Sequence, residues 1–228
     1  VFSLAAGAQT TIRVGAFPKI THAQAMVGKA NGTFEKALGP NVKVEWKSFN
    51  AGPSAIEALF AGAIDMTYIG PNPTIAGYTR SNGEALRVIA GAASGGAALV
   101  VHNDSGIQSA ADFQGKKVAS PQLGNTQDVA LRSWLRANSL KATDRGGDVQ
   151  VIPLPNPEQL TLFIQKELDA AWAPEPWATR LTGRDLNDMS AVIAVMLLII
   201  ALGYLVNRFV FQTMERTLQT RWGLAATV

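Results

Sequence analysis

The residues best placed for chemistry in this chain are a series of turns rich in Gly, Pro, Ser, Thr and Asn. They read Lys19-Ile20-Thr21-His22, Gly52-Pro53-Ser54, Gly70-Pro71-Asn72-Pro73-Thr74, Ser94-Gly95-Gly96 and Pro121-Gln122-Leu123-Gly124-Asn125-Thr126. All but the last follow a strand-length apolar run, and the last opens the helical pattern around Trp134. A helix beginning at such a turn offers unpaired backbone N–H groups and the positive end of its dipole, a natural seat for a small anion. Asn125, with Asp128 three residues on, has the spacing of an N-terminal cap. His22 adds a hydrogen-bond donor to the first turn. Pro174-Glu175-Pro176-Trp177 is a stiff turn presenting one carboxylate and one indole.

Catalytic constellations are missing from this inventory. There is no G-x-S-x-G elbow, no phosphate-binding G-x-x-x-x-G-K-[ST] and no G-x-G-x-x-G. Glu175 alone is not an acid–base pair. Zero cysteines exclude disulfides, thiolate metal sites and a Cys nucleophile. The two histidines, His22 and His102, lie far apart in sequence, so neither a metal nor a cofactor is implied. The net charge of +3 comes from 20 basic and 17 acidic residues without a basic stripe, which argues against nucleic acid as a partner.

These turns need elements to hold them. Strand-like runs at 12–17, 42–48, 66–69, 86–92, 99–102, 117–119, 149–152 and 170–173 alternate with helical patterns. The helical stretches are 24–38 (broken at Asn31-Gly32), 54–61, 74–80, 126–138 and 158–166, with a helical turn at 109–113. In 54–61, Ile56, Leu59 and Phe60 share one face. This strand–helix rhythm predicts an α/β fold with helices covering the sheet faces. In open α/β sheets ligands bind beyond the carboxyl ends of the strands, where the turns fall.

The segments KITHAQAMVGKANGTFEKALG, FNAGPSAIEALFAGAIDMTYIGPNP, RVIAGAASGGAALVV, SGIQSAADFQGKKVASPQLGNTQDVALRSWL and AAWAPEPW resemble periplasmic substrate-binding proteins of ABC importers for nitrate, sulfonate and taurine. The resemblance covers about 11–181. It implies a two-lobed periplasmic-binding-protein-like fold (type II), with lobe 1 at 11–96 and lobe 2 at 97–181. It further implies a cleft that closes on a small anionic solute and delivers it to an ABC permease and its ATPase, with no enzymatic activity. Carried over position by position, the ligand-facing candidates are Thr21, His22, Ser54, Asn72, Ser94, Asn125, Thr126, Glu175 and Trp177. A related fold belongs to an enzyme making a thiamin pyrimidine precursor, but its pattern needs a cysteine-rich motif that this chain lacks.

Past Leu181 the likeness stops, so the fold is expected to be C-terminally truncated relative to the family and followed by a long apolar helix. Residues 189–206 (MSAVIAVMLLIIALGYLV) carry no charge. That length suffices to cross a bilayer core, since about 20 residues at about 1.5 Å rise cover about 30 Å, although a buried core helix is the other reading. The stretch 184–228 resembles the last transmembrane helix and tail of the partner permease. Arg208, Arg216 and Arg221 downstream place the C-terminus in the cytoplasm, with an amphipathic tail beneath the membrane. Residues 1–10, with Ala6-Gly7-Ala8, resemble the remnant of a signal peptide. The resulting expectation is a membrane-tethered, extracytoplasmic solute binder. The alternative is a non-functional or repurposed fusion serving as a sensory or interaction module.

Overall fold

The computed structural model describes residues 9–183, in which two sheets follow one another along the chain. In the first sheet, β1 (Thr10–Ala16) lies between β2 (Val42–Ser48) and β3 (Met66–Thr67), all parallel. The connections are helical, as parallel pairing requires. They are α1 (Ala23–Asn31), α2 (Thr33–Leu38) and α3 (Gly52–Phe60), and α4 (Pro71–Arg80) follows β3. The predicted break inside 24–38 is real: Gly32 takes a left-handed φ of 61°, ending α1 and starting α2.

The second sheet has the order β4-β7-β5-β6, built from β4 (Ala97–Val101), β5 (Lys117–Ser120), β6 (Gln150–Pro153) and β7 (Ala170–Pro174). β5 runs parallel to β6 and β7, while β4 is antiparallel to β7. Helices α5 (Thr126–Ala137), α6 (Asn156–Ile164) and α7 (Trp177–Leu181) cover it on both faces. Adjacent strand residues therefore enter different cores. Val118 and Ala170 join Leu131, Leu135 and Phe113 on the α5 side, whereas Ala119 and Ala171 join Phe163, Leu168 and Leu181 on the other. A sheet covered on both faces explains why β7 reads as an unbroken apolar run. Burying each of Leu131 and Leu135 contributes about 1.5–3 kcal/mol.

The first sheet's core is smaller, with Phe17, Ala55 and Ile64 buried and Phe49, Leu59 and Ile69 packed against them. Phe60 is more exposed than its helical spacing predicted, and the Arg80 guanidinium lies 5.3 Å from its ring centre. The expected strand at 86–92 is absent. The segment is irregular, and Val88 and Ile89 are 74% and 77% exposed. Strand propensity cannot act without a partner edge, because backbone N–H and C=O groups left out of a ladder hydrogen-bond to water instead.

Helices α3, α4 and α6 begin two or three residues earlier than expected. Pro53 and Pro71 occupy first-turn positions, where a missing N–H costs nothing. Ser54 and Asn72 thus sit inside the first turns of α3 and α4. Among the described residues no helix is long and apolar enough to cross a membrane. The expected apolar helix at 189–206, its tail and the signal-like residues 1–8 lie outside the described residues.

Candidate functional site

Because β1, β2 and β3 are parallel, their carboxyl ends share one rim, carrying Lys19 to His22, Asn50 to Ser54 and Gly70 to Asn72. The parallel trio β5, β6 and β7 makes a second rim with Pro121 to Thr126, Leu154 to Asn156 and Glu175 to Trp177. The two rims meet. The Asn50 side-chain amide donates to the Pro121 carbonyl at 3.2 Å, and Gln122 Nε2 donates to Ser54 Oγ at 3.1 Å. The Ile20 N–H donates to the Glu175 carbonyl at 3.1 Å, while the Glu175 N–H extends the β4–β7 ladder by donating to the Gly96 carbonyl at 2.9 Å. Gly70 approaches Thr126 so closely that a Cβ there would lie 2.1 Å from the threonine Oγ1.

The second rim's polar centre is the start of α5. Asn125 is buried and caps the helix as its spacing implied, its Oδ1 accepting from the Asp128 N–H at 2.7 Å. Its Nδ2 is also buried and has no partner. The Asp128 carboxylate, itself buried, accepts from the Ser120 hydroxyl at 3.0 Å and the Gly124 N–H at 2.9 Å. Arg132 neutralises it, with Nε 3.1 Å from Oδ2, and also pairs with Asp144 at 2.8 Å. The acid in this first turn is therefore compensated, and the positive end of the helix faces the rim unopposed.

The first rim's polar centre is the turn after β1. His22 is buried, stacked on Phe17 at 4.4 Å between ring centres, and its Nδ1 accepts from the Phe17 N–H at 3.1 Å. Burial, then the nearby Lys19 charge, pushes its pKa down to about 4. The ring is neutral at pH 7 and carries its proton on Nε2, making it a donor rather than a cation. Lys19 is only 4% exposed, and burial lowers its pKa to about 8.

The structure therefore gathers Thr21, His22, Ser54, Asn72, Asn125 and Thr126 on facing rims. Thr21 lies against Gly96, where a Cβ would come within 2.9 Å of its Cγ2. Ser94 is exposed in the irregular segment before β4. Glu175 joins the rims through its backbone, while its Oε2 accepts from the Thr179 hydroxyl at 2.8 Å and the Thr179 N–H at 3.2 Å. The Trp177 ring is half-buried against the α6 and α7 core, with the Arg180 guanidinium 4.8 Å from its centre. Lys19 and Gln122 lie in turns read from the sequence but, like Asn50, are not among its ligand-facing candidates. Nothing local distinguishes a buried lysine in a turn from an exposed one, and the Ser54–Gln122 contact joins residues 68 apart.

Two α/β sheets thus present their strand ends to each other, bridged by polar side chains, with the N-terminus of α5 at the seam. The chain belongs to the NMT1-like family, which its residues 5–187 match. It is 27% identical over 173 residues to the taurine-binding periplasmic protein of Escherichia coli (strain K12), covering 74% of this chain and 50% of that one. To a putative aliphatic sulfonates-binding protein of the same organism it is 31% identical over 169 residues, covering 72% and 50%. The alkanesulfonate-binding protein of Xanthomonas axonopodis pv. citri, solved bound to MOPS, superposes with a TM-score of 0.61 at 22% identity over 78% of this chain and 58% of that one. The fold is thus of the mixed α/β periplasmic-binding-protein kind. The chain spans about half the length, 43–50%, of these curated relatives.

Proposed function

We propose that the chain binds a small anion, a sulfonate, taurine or nitrate, between its two rims, as the solute-binding component of an ABC importer. The observation that carries this reading is the orphan donor at the α5 start, where Asn125 Nδ2 is buried without a partner. A buried donor left unpaired costs about 1–3 kcal/mol, so an oxyanion that accepts from it recovers that cost. Thr21, Ser54, Asn72, Thr126 and the neutral His22 supply further donors. Ser94, Glu175 and Trp177 belong to the same candidate set. The protein binds its solute without transforming it and hands it to a permease and its ATPase. A thermal-shift series of the full chain against taurine, ethanesulfonate, nitrate and uncharged controls tests this. A ligand at about 100 times its Kd adds about 2.7 kcal/mol of stability. No shift with any of the three solutes refutes the reading.

The finer placement is extracytoplasmic, tethered through residues 189–206 with the C-terminus in the cytoplasm, and rests on sequence. Protease added to intact spheroplasts should digest residues 11–181 and spare a C-terminal tag. Loss of the tag with the binding region protected refutes that topology. A second reading, a repurposed interaction module, is favoured by one observation: the apolar residues Val88 and Ile89 stand open to solvent.

A further inference from the structure

Among the described residues two side chains that ordinarily carry charge, apart from histidine, are buried: Asp128 and Lys19. Asp128 has Arg132. Lys19 is paired with no carboxylate: burial alone acts on its ammonium, and the Phe17 ring lies 5.4 Å from Nζ to the centroid. It sits where the first rim turns toward the second, one residue before the Ile20 N–H that bonds Glu175. Its own turn holds Phe17 and His22; the His22 ring lies 6.0 Å from that of Tyr68 at the end of β3, and the next residue, Ile20, meets Glu175 at the end of β7. His22 is neutral, and the Glu175 carboxylate is turned to Thr179. A buried cation without an anion is costly, and such a residue is either deprotonated or awaiting a counter-ion.

We propose that the Lys19 ammonium is the counter-charge for the bound solute, and that this single cation restricts the site to headgroups of one negative charge. The inference rests on the anion-binding reading above and deepens it. With Asp128 cancelled by Arg132, His22 neutral and the Glu175 carboxylate turned to Thr179, a sulfonate or nitrate neutralises Lys19 one for one. A dianion such as sulfate brings a second negative charge for which these turns hold no buried cation. In the empty protein Lys19 has a pKa of about 8, so anion binding, which favours the charged form, draws in a proton at mildly alkaline pH.

Calorimetry of the full chain with ethanesulfonate and with sulfate, at pH 7 and about pH 9 in buffers of different ionisation enthalpy, tests this. Ethanesulfonate should bind at least about tenfold tighter than sulfate, the scale of a hydrogen bond to a charged group, and take up protons at the higher pH. Lys19→Met should lose the proton uptake and at least about tenfold in ethanesulfonate affinity, while the ligand-free variant melts higher than wild type because a desolvated charge is gone. Lys19→Arg should keep binding but lose the pH dependence. Unchanged affinity in Lys19→Met overturns the inference and leaves the anion-binding function standing. Equal loss in Lys19→Met and Lys19→Arg with a lowered melting temperature assigns Lys19 to packing and overturns it too. Failure of wild type to bind ethanesulfonate, taurine or nitrate overturns both.

Discussion

Gly70→Ala isolates the contact between the rims. The backbone of Gly70, with φ −78° and ψ 162°, accepts alanine without strain, so any penalty comes from space. The new Cβ would lie 2.1 Å from Thr126 Oγ1, 3.2 Å from its Cβ and 3.8 Å from its Cγ2. Turning the threonine can exchange hydroxyl for methyl or bring its Cβ–H round, but the 3.2 Å approach to Thr126 Cβ remains. The rims must part slightly, and overpacking of this kind costs about 1–3 kcal/mol. If solute binds between the rims, that cost appears as about a 5- to 150-fold loss of affinity. In a Thr126→Gly background Oγ1, Cβ and Cγ2 are all gone, and the same substitution should cost less than about 0.5 kcal/mol. Calorimetric titration with ethanesulfonate at the four corners of this cycle, with thermal melts as a control, measures the coupling. Equal losses in both backgrounds would show that Gly70 acts through its own helix and not across the groove.

Asn125→Ala should weaken solute binding by on the order of 1–3 kcal/mol and, through the lost cap, cost about 1 kcal/mol of stability, read by calorimetry and urea melts. His22 has a folded pKa of about 4 against an ordinary 6.5, so the stability tied to its neutral form is present above pH 6.5 and lost as pH falls toward 4, up to about 3 kcal/mol. Chemical denaturation between pH 4 and 7 should show that arm in wild type and not in His22→Gln. Arg132→Met should destabilise by about 3–5 kcal/mol, because it strands the buried Asp128 carboxylate, and Asp128→Asn should recover part of the loss in the double variant. His102 stacks on Phe163 at 3.7 Å, beyond Val101, which pairs with the amino-terminal end of β7. His102→Ala should therefore lower the melting temperature while leaving affinity within about twofold.

Local chemistry was legible where a pattern closes on itself within a few residues. β2 matched its alternating residues 42–48, the α1–α2 break fell at Gly32, and Asn125 caps the amide of Asp128. Where an outcome depends on a distant partner, the sequence misled or was silent. Residues 86–92 carry strand propensity and no ladder. Lys19 is buried although nothing in its own turn distinguishes it from an exposed lysine. The Glu175 side chain looked free between two prolines, yet one helical turn later Thr179 offers it a hydroxyl and an N–H. The convergence of the turns was readable from the strand–helix rhythm. Their pairings across the groove, Asn50 with Pro121 and Ser54 with Gln122, were not.

Glu175 spends its carbonyl on Ile20 across the junction and its N–H on Gly96 within its own sheet. A joint made of peptide groups is indifferent to side-chain replacement: any residue at 175 keeps it, and any at 20 except proline, which lacks the donor. The contacts at Ser54–Gln122 and Gly70–Thr126 are the reverse, since single side-chain changes make or remove them. One seam between the rims is thus written in peptide groups, which the genetic code can scarcely edit, and the other in side chains, which single substitutions retune.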